Sequence, residues 1–234
     1  MAMIHENNII TILLPVHNEE RWLDLCLKGL ISQTHTQFKC IVGFNGTRDK
    51  SKEIFDSLCS DDERFAKVDF GEISGKCKTL NSMLDLVETE YTCLIDGDDI
   101  WHQEKLSKQL ERLGDFDICG TMAFYIDEYD NITYALNLAT EDSDIKTGFS
   151  KGHNQIVNSS CMVKTELFKE IEGWDEMVEG IEDFDVWLKL YKLGKNFINI
   201  PYSLVYHRIH SNSNFNSKPQ PMSIEELLKR NKIC

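Results

Sequence analysis

Acidic side chains are concentrated in one short turn, Asp96-Gly97-Asp98-Asp99, which directly follows the apolar segment Tyr91 to Ile95. Three carboxylates within four residues repel one another, and a divalent cation would remove that repulsion. Carboxylate oxygens are hard ligands of the kind that Mg²⁺ and Mn²⁺ prefer. Aspartate and glycine are also common in solvated turns. The turn alone therefore leaves two interpretations open, a metal site and an ordinary acidic loop.

Two other strand ends in the sequence carry polar, turn-forming residues. The apolar run Ile9 to Val16 is followed by His17-Asn18-Glu19, and the segment Phe38 to Phe44 is followed by Asn45-Gly46. A nearly continuous apolar run is typical of a strand that is buried on both faces of a parallel sheet. Because ligands bind at the carboxyl ends of the strands in open α/β sheets, we expect the three polar turns to line one cleft.

Apolar side chains at helical spacing separate the strands of the first half. This alternation predicts an α/β fold with an open, mostly parallel, twisted sheet that is flanked by helices. The second half is less regular, and the residues from Asp127 to Gly152 have the polar composition of a loop. Elements expected there are helices over Leu106–Leu113 and Asp183–Leu193, strands over Ile118–Tyr125, Phe197–Ile200 and Leu204–Tyr206, and a short helix that begins near Ser223.

The composition of the chain limits the classes of molecule that it is expected to bind. The chain has 234 residues, of which 25 are basic and 39 acidic, so its formal net charge is −14. This acidity argues against nucleic acid and against purely electrostatic docking on an anionic membrane. No apolar stretch is long enough to cross a bilayer, and Met1 to Asn8 lacks a signal-peptide core. We therefore expect a cytoplasmic protein with no transmembrane segment, whose contact with any lipid-linked acceptor is peripheral.

The eight cysteines occur singly, most of them inside apolar stretches, and none forms a C-x-x-C pair. We interpret them as small buried hydrophobic residues and not as a disulfide framework or a zinc site.

The order of the motifs resembles glycosyltransferase family 2, whose members have the GT-A fold. The resemblance implies an enzyme that moves a sugar from a nucleotide-sugar donor to an acceptor hydroxyl. It also implies inversion at the anomeric carbon and assistance by Mn²⁺ or Mg²⁺. The matching segments are Ile9 to Thr34, Ser74-Gly75-Lys76, Leu80-Asn81, Asp96 to Asp99, Gly173 to Leu190 and Tyr206 to Ser213.

The resemblance also implies roles for individual residues. Asp98 would bind the metal on the donor diphosphate, and His210 would complete the metal site. In the pair Glu182-Asp183, the second carboxylate would be the catalytic base. The segment Trp174-Asp175 matches a loop that faces the acceptor. The nucleotide sugar would be bound by a larger set of residues: Pro15, Val16, His17, Asn18, Glu19, Asn45, Lys76, Asp96 and Gly97.

Simpler interpretations exist for several of these residues. Lys76 has the position of a solvated lysine at a helix start, and the pair Glu182-Asp183 has that of carboxylates stabilised by a helix dipole. Trp174 is as well suited to anchoring its loop in the core as to stacking on a sugar.

The donor is expected to be a UDP-sugar, with GDP- and dTDP-sugars as further candidates. The sequence departs from the family here, because many members have two aspartates where this chain has Phe44-Asn45. The acceptor would be a glycan, a glycolipid or a protein.

Two other functions stay open. A sugar-nucleotide nucleotidyltransferase would usually have a glycine-rich loop after the first strand, which His17 to Arg21 lacks. The other is a non-catalytic module that binds sugars or nucleotides.

We expect one domain over residues 1–234. Residues 9–100 would form the nucleotide-sugar-binding half and residues 101–213 the acceptor-binding and catalytic half. Residues 214–234 would form a C-terminal tail with a short helix.

Overall fold

The computed structural model describes residues 10–72, 75–114, 116–211 and 220–233. The parts of the matching motifs at Ile9, Ser74, Asn212 and Ser213, and residues 214–219 of the expected tail, lie outside the described residues. The strands are β1 Ile10–Val16, β2 Phe38–Phe44, β3 Phe65–Asp69, β4 Tyr91–Leu94, β5 Ile100–Trp101, β6 Ile118–Ile126, β7 Ile132–Leu136, β8 Met162–Lys164 and β9 Phe197–Arg208. The helices are α1 Leu23–Ile31, α2 Ser51–Cys59, α3 Lys76–Leu84, α4 Lys105–Leu113, α5 Asp142–Ser150, α6 Thr165–Glu170, α7 Glu182–Lys192 and α8 Ile224–Arg230.

All the described strands belong to one open sheet, in the order β3-β2-β1-β4-β8-β6-β9-β5, with β7 paired to β6. Pairing is parallel from β3 to β4, as expected from the alternation of strands and helices in the first half. The strand β8 joins β4 to β6 by antiparallel pairing on both sides. The predicted α/β fold is therefore confirmed, and parallel pairing dominates its first half.

Both faces of β1 are buried, which explains its continuous apolar sequence. Ile12 and Leu14 pack in one core cluster with Leu27 of α1. Leu13 points to the opposite face and packs in the second cluster, which contains Leu80 of α3 and Trp187 of α7. Successive side chains of a strand alternate between the faces of a sheet, so each face of β1 has its own helical cover.

The expected loop from Asp127 to Gly152 is wrong, because it contains β7 and α5. The strand β7 pairs with β6 alone and is largely exposed, so its sequence lacks an apolar face of the usual kind. The helix α5 buries only two side chains, Ile145 and Phe149, which is too few to give a clear helical pattern.

The two short strands expected after Phe197 form the single strand β9. Ile200 pairs with Thr121 and Ser203 pairs with Met122, so Pro201 and Tyr202 have no partner on β6. Such a bulge accommodates proline, which has no N–H group to donate to the ladder. After a second register shift at Leu204, pairing is continuous from Val205 and brings His207 and Arg208 back to the carboxyl ends of the central strands.

The seven cysteines in the described part of the chain are all buried free thiols, in agreement with their interpretation as core residues. Cys234 lies outside that part. Among the described residues, no helix has the length and apolar composition needed to cross a lipid bilayer.

Candidate active site

A cleft of about 1300 Å³ opens at the carboxyl ends of β1, β2 and β4. The three polar turns that follow these strands converge there, as their positions in the sequence predict. The start of α7 and the end of β9 form other parts of the wall. The cleft is lined by every residue assigned above to the donor, the metal or the base: Pro15, Val16, His17, Asn18, Glu19, Asn45, Lys76, Asp96, Gly97, Asp98, Glu182, Asp183 and His210.

The two candidate metal ligands are in direct contact. His210 Nε2 lies 2.9 Å from Asp98 Oδ2, and both side chains are largely buried. The ring of Trp22 packs against the imidazole of His210 with a centroid distance of 4.3 Å. Arg208 donates from Nε to the carbonyl oxygen of Asp98 at 2.9 Å. The acidic turn and the end of β9, which are far apart in the sequence, therefore form one wall of the cleft.

Carboxylates crowd this wall and perturb one another. Burial, together with the charges of Asp98 and Asp96, raises the pKa of Glu19 to about 8. Burial also raises the pKa of Asp98 above its usual range, against the hydrogen bond from His210. Gly97 leaves room for this crowding, since a Cβ atom there would come within 2.8 Å of Glu19 Cγ. Buried carboxyl groups this close together resist ionising at the same time, and a positive ligand would favour their ionised forms.

The residues present fit a divalent cation of the Mn²⁺ type, which accepts both carboxylate and imidazole ligands. Asp98 and His210 would hold the cation. Within the described ranges, no group of three or more histidine, cysteine, aspartate or glutamate side chains is placed to hold a metal by itself. The remaining ligands would therefore come from water or from the donor diphosphate.

Asp99 points away from the cleft and holds the wall together. Its carboxylate accepts hydrogen bonds from the backbone N–H of Arg208 at 2.8 Å and from His207 Nδ1 at 3.0 Å. Burial alone would raise the pKa of Asp99 and lower the pKa of His207. Their contact outweighs burial, so the pKa of Asp99 is held below its usual range and the pKa of His207 is raised to about 9. Of the three aspartates in the turn, Asp99 is thus positioned to stabilise the fold.

Lys76 at the start of α3 joins the two halves of the cleft. Its Nζ lies 2.5 Å from Asp96 Oδ1 and 3.5 Å from Glu182 Oε1. Only 16% of the lysine side chain is exposed, so the interpretation as a solvated lysine is wrong. Burial would lower its pKa, but the charges of Asp96 and Glu182 raise the pKa well above the usual value.

The candidate base, Asp183, lies in the first turn of α7 and lines the same cleft as the acidic turn. Its Oδ1 accepts from the N–H of Phe184 at 2.7 Å, and its Oδ2 accepts from Asn154 Nδ2 at 3.0 Å. Burial and the adjacent charge of Glu182 raise the pKa of Asp183 to about 6. A carboxylate of this kind is ionised at neutral pH and is more basic than an ordinary aspartate.

Asn45 and His17 shape the floor where the sequence departs from the family pattern. Asn45 Nδ2 donates to Thr79 Oγ1 at 2.7 Å, and the Oδ1 atom is buried without a hydrogen-bond partner among the described residues. His17 Nδ1 donates to the carbonyl oxygen of Asn45 at 2.6 Å. Asn18 has a left-handed backbone, with φ at 57°, and accepts from the N–H of Arg48.

Neither Trp174 nor Asp175, the two residues assigned to the acceptor, lines the cleft, and the expected stacking of Trp174 on a sugar is wrong because its ring is buried. Only 2% of Trp174 is exposed, and its ring stacks on Phe168 at a centroid distance of 4.7 Å. The large apolar indole is stabilised by burial, so the alternative, an anchor in the core, is confirmed. Asp175 accepts from the N–H of Met177 and forms an ion pair with Arg230.

Sequence reasoning missed several residues that contact the predicted site residues, among them Trp22, Arg208, Asn154 and Asn158. The ring of Trp22 packs on His210, and Arg208 donates to the carbonyl oxygen of Asp98. Asn154 contacts Asp183, and Asn158 Nδ2 lies 3.4 Å from Asp96 Oδ2. Both asparagines lie between elements with no recognisable motif, and nothing in the sequence singles them out. Arg208 did offer a signal, since it lies within the matching segment Tyr206 to Ser213, next to His210.

Comparisons with known proteins agree with this architecture. The chain is 26% identical over 216 residues to an uncharacterized glycosyltransferase of Methanocaldococcus jannaschii, covering 90% of this chain and 74% of that protein. Its fold matches that of TarS residues 1–349 from Staphylococcus aureus in complex with UDP-GlcNAc, with a TM-score of 0.77 and 16% identity. That match covers 96% of this chain and 65% of the other, so the chain spans just under two thirds of the TarS fragment.

A second solved structure has the same fold. It is the mannosyltransferase PcManGT from Pyrobaculum calidifontis in complex with GDP-Man and Mn²⁺, with a TM-score of 0.68 and 16% identity. The match covers 88% of this chain and 58% of the mannosyltransferase. Residues 11–171, which are more than half of the sequence, match the family model described as Glycosyl transferase family 2. The predicted enzyme class is thereby confirmed, and the chain belongs to glycosyl transferase family 2.

Proposed function

We propose that this chain transfers a sugar from a nucleoside diphosphate sugar to an acceptor hydroxyl, with inversion at the anomeric carbon and with Mn²⁺ or Mg²⁺ bound. One observation carries the proposal. The contacting pair Asp98 and His210 lies on one wall of the cleft, and the basic carboxylate of Asp183 lies on another. This arrangement suits a leaving diphosphate on one side and an attacking hydroxyl on the other.

The reaction needs negative charge to be stabilised on the leaving group and a proton to be removed from the nucleophile. A cation held by Asp98 and His210 would supply Lewis-acid stabilisation of the charge on the diphosphate. Asp183 accepts the proton of the acceptor hydroxyl as that oxygen attacks the anomeric carbon. A single displacement of this kind inverts the anomeric centre and needs no covalent bond between sugar and protein.

The polar turns after β1, β2 and β4 would bind the nucleoside and its phosphates. Asp96 is a candidate for the ribose, and its present partner Lys76 is then available to a phosphate oxygen. Asn45 offers a buried carbonyl oxygen that can accept from a ring N–H of uracil. UDP-sugars are therefore the first choice, and the TarS structure bound to UDP-GlcNAc supports that choice. GDP-sugars have support from the PcManGT structure.

The nucleotide is tested by thermal unfolding in the presence of UDP, GDP, dTDP or CMP, each with Mn²⁺. We expect UDP to raise the midpoint most, because a ligand stabilises the folded state in proportion to the logarithm of its concentration over its Kd. Asn45→Leu, which removes the free acceptor, should weaken the effect of UDP. A clear shift with GDP or dTDP and none with UDP would replace the proposed nucleotide while leaving the transferase proposal intact.

The pH dependence of turnover tests the proposed base. Asp183 acts in its ionised form, and its pKa is raised to about 6, so turnover should be constant above that pH and fall tenfold per unit below it. Glu182→Gln removes a neighbouring negative charge that contributes to the shift, so the acid limb should move to lower pH. The measurement is kcat at saturating donor, acceptor and Mn²⁺. An acid limb in the same place in both proteins would assign the titration to another group.

Two alternative functions would treat a nucleotide sugar differently. A nucleotidyltransferase would consume a nucleoside triphosphate and a sugar phosphate, and a non-catalytic module would bind a donor without cleaving it. Incubation with UDP-, GDP- and dTDP-sugars separates them, because a transferase slowly hydrolyses its donor when water replaces the acceptor. The acceptor would be a glycan, a glycolipid or a protein, reached from the cytoplasm and, where lipid-linked, by peripheral contact with the membrane.

A further inference from the structure

A ladder of three rings crosses neighbouring strands on the cleft side of the sheet. Tyr134 of β7 is paired with Tyr125 of β6, and Tyr125 is paired with His207 of β9. The ring centroids of Tyr134 and Tyr125 are 4.5 Å apart, and those of Tyr125 and His207 are 5.3 Å apart. Residues directly opposite on paired strands point to the same face of a sheet. The three rings, which we call the aromatic ladder, therefore form one continuous surface.

The aromatic ladder leads from the rim of the cleft towards the candidate base. Tyr125 and His207 line the cleft together with Asp183. Tyr134, with 53% of its surface exposed, forms the outer end. Leu136, which lies two residues further along β7 and so on the same face, also lines the cleft. An acceptor lying on this surface would have one end beside Asp183 and the other in solvent.

The chemistry of the surface is both apolar and hydrogen-bonding. Burial raises the pKa of Tyr125 to about 12, with contributions from Tyr134 and from the charges of Asp99 and Asp183. Its hydroxyl therefore stays protonated and can donate a hydrogen bond. Tyrosine presents an apolar ring and a polar tip in one side chain, which suits a ligand that alternates C–H groups and hydroxyls.

We propose that the aromatic ladder is the acceptor subsite and that it binds a neutral sugar ring of the acceptor. The inference rests on the transferase reaction proposed above and names the chemical class of its second substrate. Trp174, the residue that the sequence favoured for this role, is buried in the core, whereas Tyr134 is exposed beside the cleft.

Charge and polarity select a neutral sugar over the other acceptor chemistries. The cleft is lined by the carboxylates of Glu179, Glu182 and Asp183, and the one cationic ring of the ladder, His207, is already paired with the carboxylate of Asp99, so an anionic ring would be repelled. An acyl chain would leave the tyrosine hydroxyls without partners where it excluded water. A glycolipid acceptor would accordingly present its sugar to the ladder and leave its lipid outside.

Binding of neutral disaccharides tests the inference directly. Saturation-transfer NMR with lactose, cellobiose and chitobiose, in the presence of UDP, should show at least one sugar that binds the wild-type protein. Tyr134→Ala should weaken that binding about tenfold, because it removes the exposed ring. Tyr134→Phe keeps the ring and should retain most of the affinity. Tyr202→Ala is the matched control, since Tyr202 is 56% exposed at the bulge of β9, outside the aromatic ladder, and it should bind like the wild type.

Three results would contradict the proposed acceptor subsite. Equal affinity of the wild type and Tyr134→Ala for every sugar, no binding by the wild type, or a preference for a glucuronic-acid disaccharide would overturn the subsite. Thermal shifts with UDP, GDP and dTDP on the same samples distinguish a failure of the subsite proposal from a failure of the transferase proposal. Stabilisation by a nucleotide without binding at the ladder would refute the subsite alone. No stabilisation by any nucleotide would refute the transferase proposal.

Discussion

Replacement of Asp183 by asparagine should lower turnover by roughly 10²–10⁴-fold, the usual range for the loss of a general base. The substitution keeps the shape of the side chain, and the amide oxygen can still accept from the N–H of Phe184. It removes the proton affinity that burial and Glu182 have raised. Because Asp183 is proposed to contact the acceptor and not the donor, the affinity for the nucleotide should change little.

The measurement is kcat with an accepted donor, together with the Kd for the nucleotide. Asp175→Asn is the matched control, because the same chemical change is made at a carboxylate outside the cleft. It disturbs an ion pair with Arg230 near the surface and should retain near-normal turnover. Turnover of Asp183→Asn within a few fold of the wild type would show that another group takes the proton.

Removal of divalent metal should lower transfer by roughly 10³-fold or more, because Lewis-acid stabilisation of the leaving group is worth several kcal/mol. EDTA removes the cation, and added Mn²⁺ or Mg²⁺ should restore the rate. His210→Ala should raise the Mn²⁺ concentration needed for half-maximal activity. Asp98→Ala should not be rescued by Mn²⁺, because it removes a ligand whose charge also offsets that of the cation.

Binding of Mn²⁺ followed by electron paramagnetic resonance gives a measure that does not depend on turnover. Addition of UDP should increase binding to the wild type, since the diphosphate would complete the ligand set, and the increase should be lost in Asp98→Ala. EDTA saturated with Mn²⁺ beforehand controls for direct effects of the chelator. Full activity in excess EDTA would show that the reaction needs no metal.

The donor side of the cleft could be anticipated from the sequence because it depends on strand ends. A continuous apolar run predicts a doubly buried strand such as β1, and the polar turns that follow β1, β2 and β4 must then meet at one edge. The acidic turn and His210 came together as the family pattern implies, at 2.9 Å. Their chemical roles remain predictions until the variants above are measured.

The acceptor side could not be anticipated, for physical reasons that differ between elements. The strand β7 is exposed, so it has no apolar pattern to detect, and Tyr134 looks like an ordinary surface residue. Pro201 interrupts the pattern of β9, although a bulge lets the strand continue. Trp174 resembles a sugar platform in sequence, and only the packing of its ring on Phe168 shows that it belongs to the core.

The contact between His210 and Asp98 joins residues that are 112 positions apart. Closing a loop of that length lowers the conformational entropy of the chain, and no local interaction compensates for that loss. This wall of the cleft should therefore form late in folding. During translation, a nascent chain that has not reached Arg208 has Lys76 beside Asp96 but lacks the residue of β9 that contacts Asp98 and Asp99. The parallel strands of the first half can pair before β9 is synthesised, but the wall that carries Asp98 and His210 is complete only after β9 has been made and has docked.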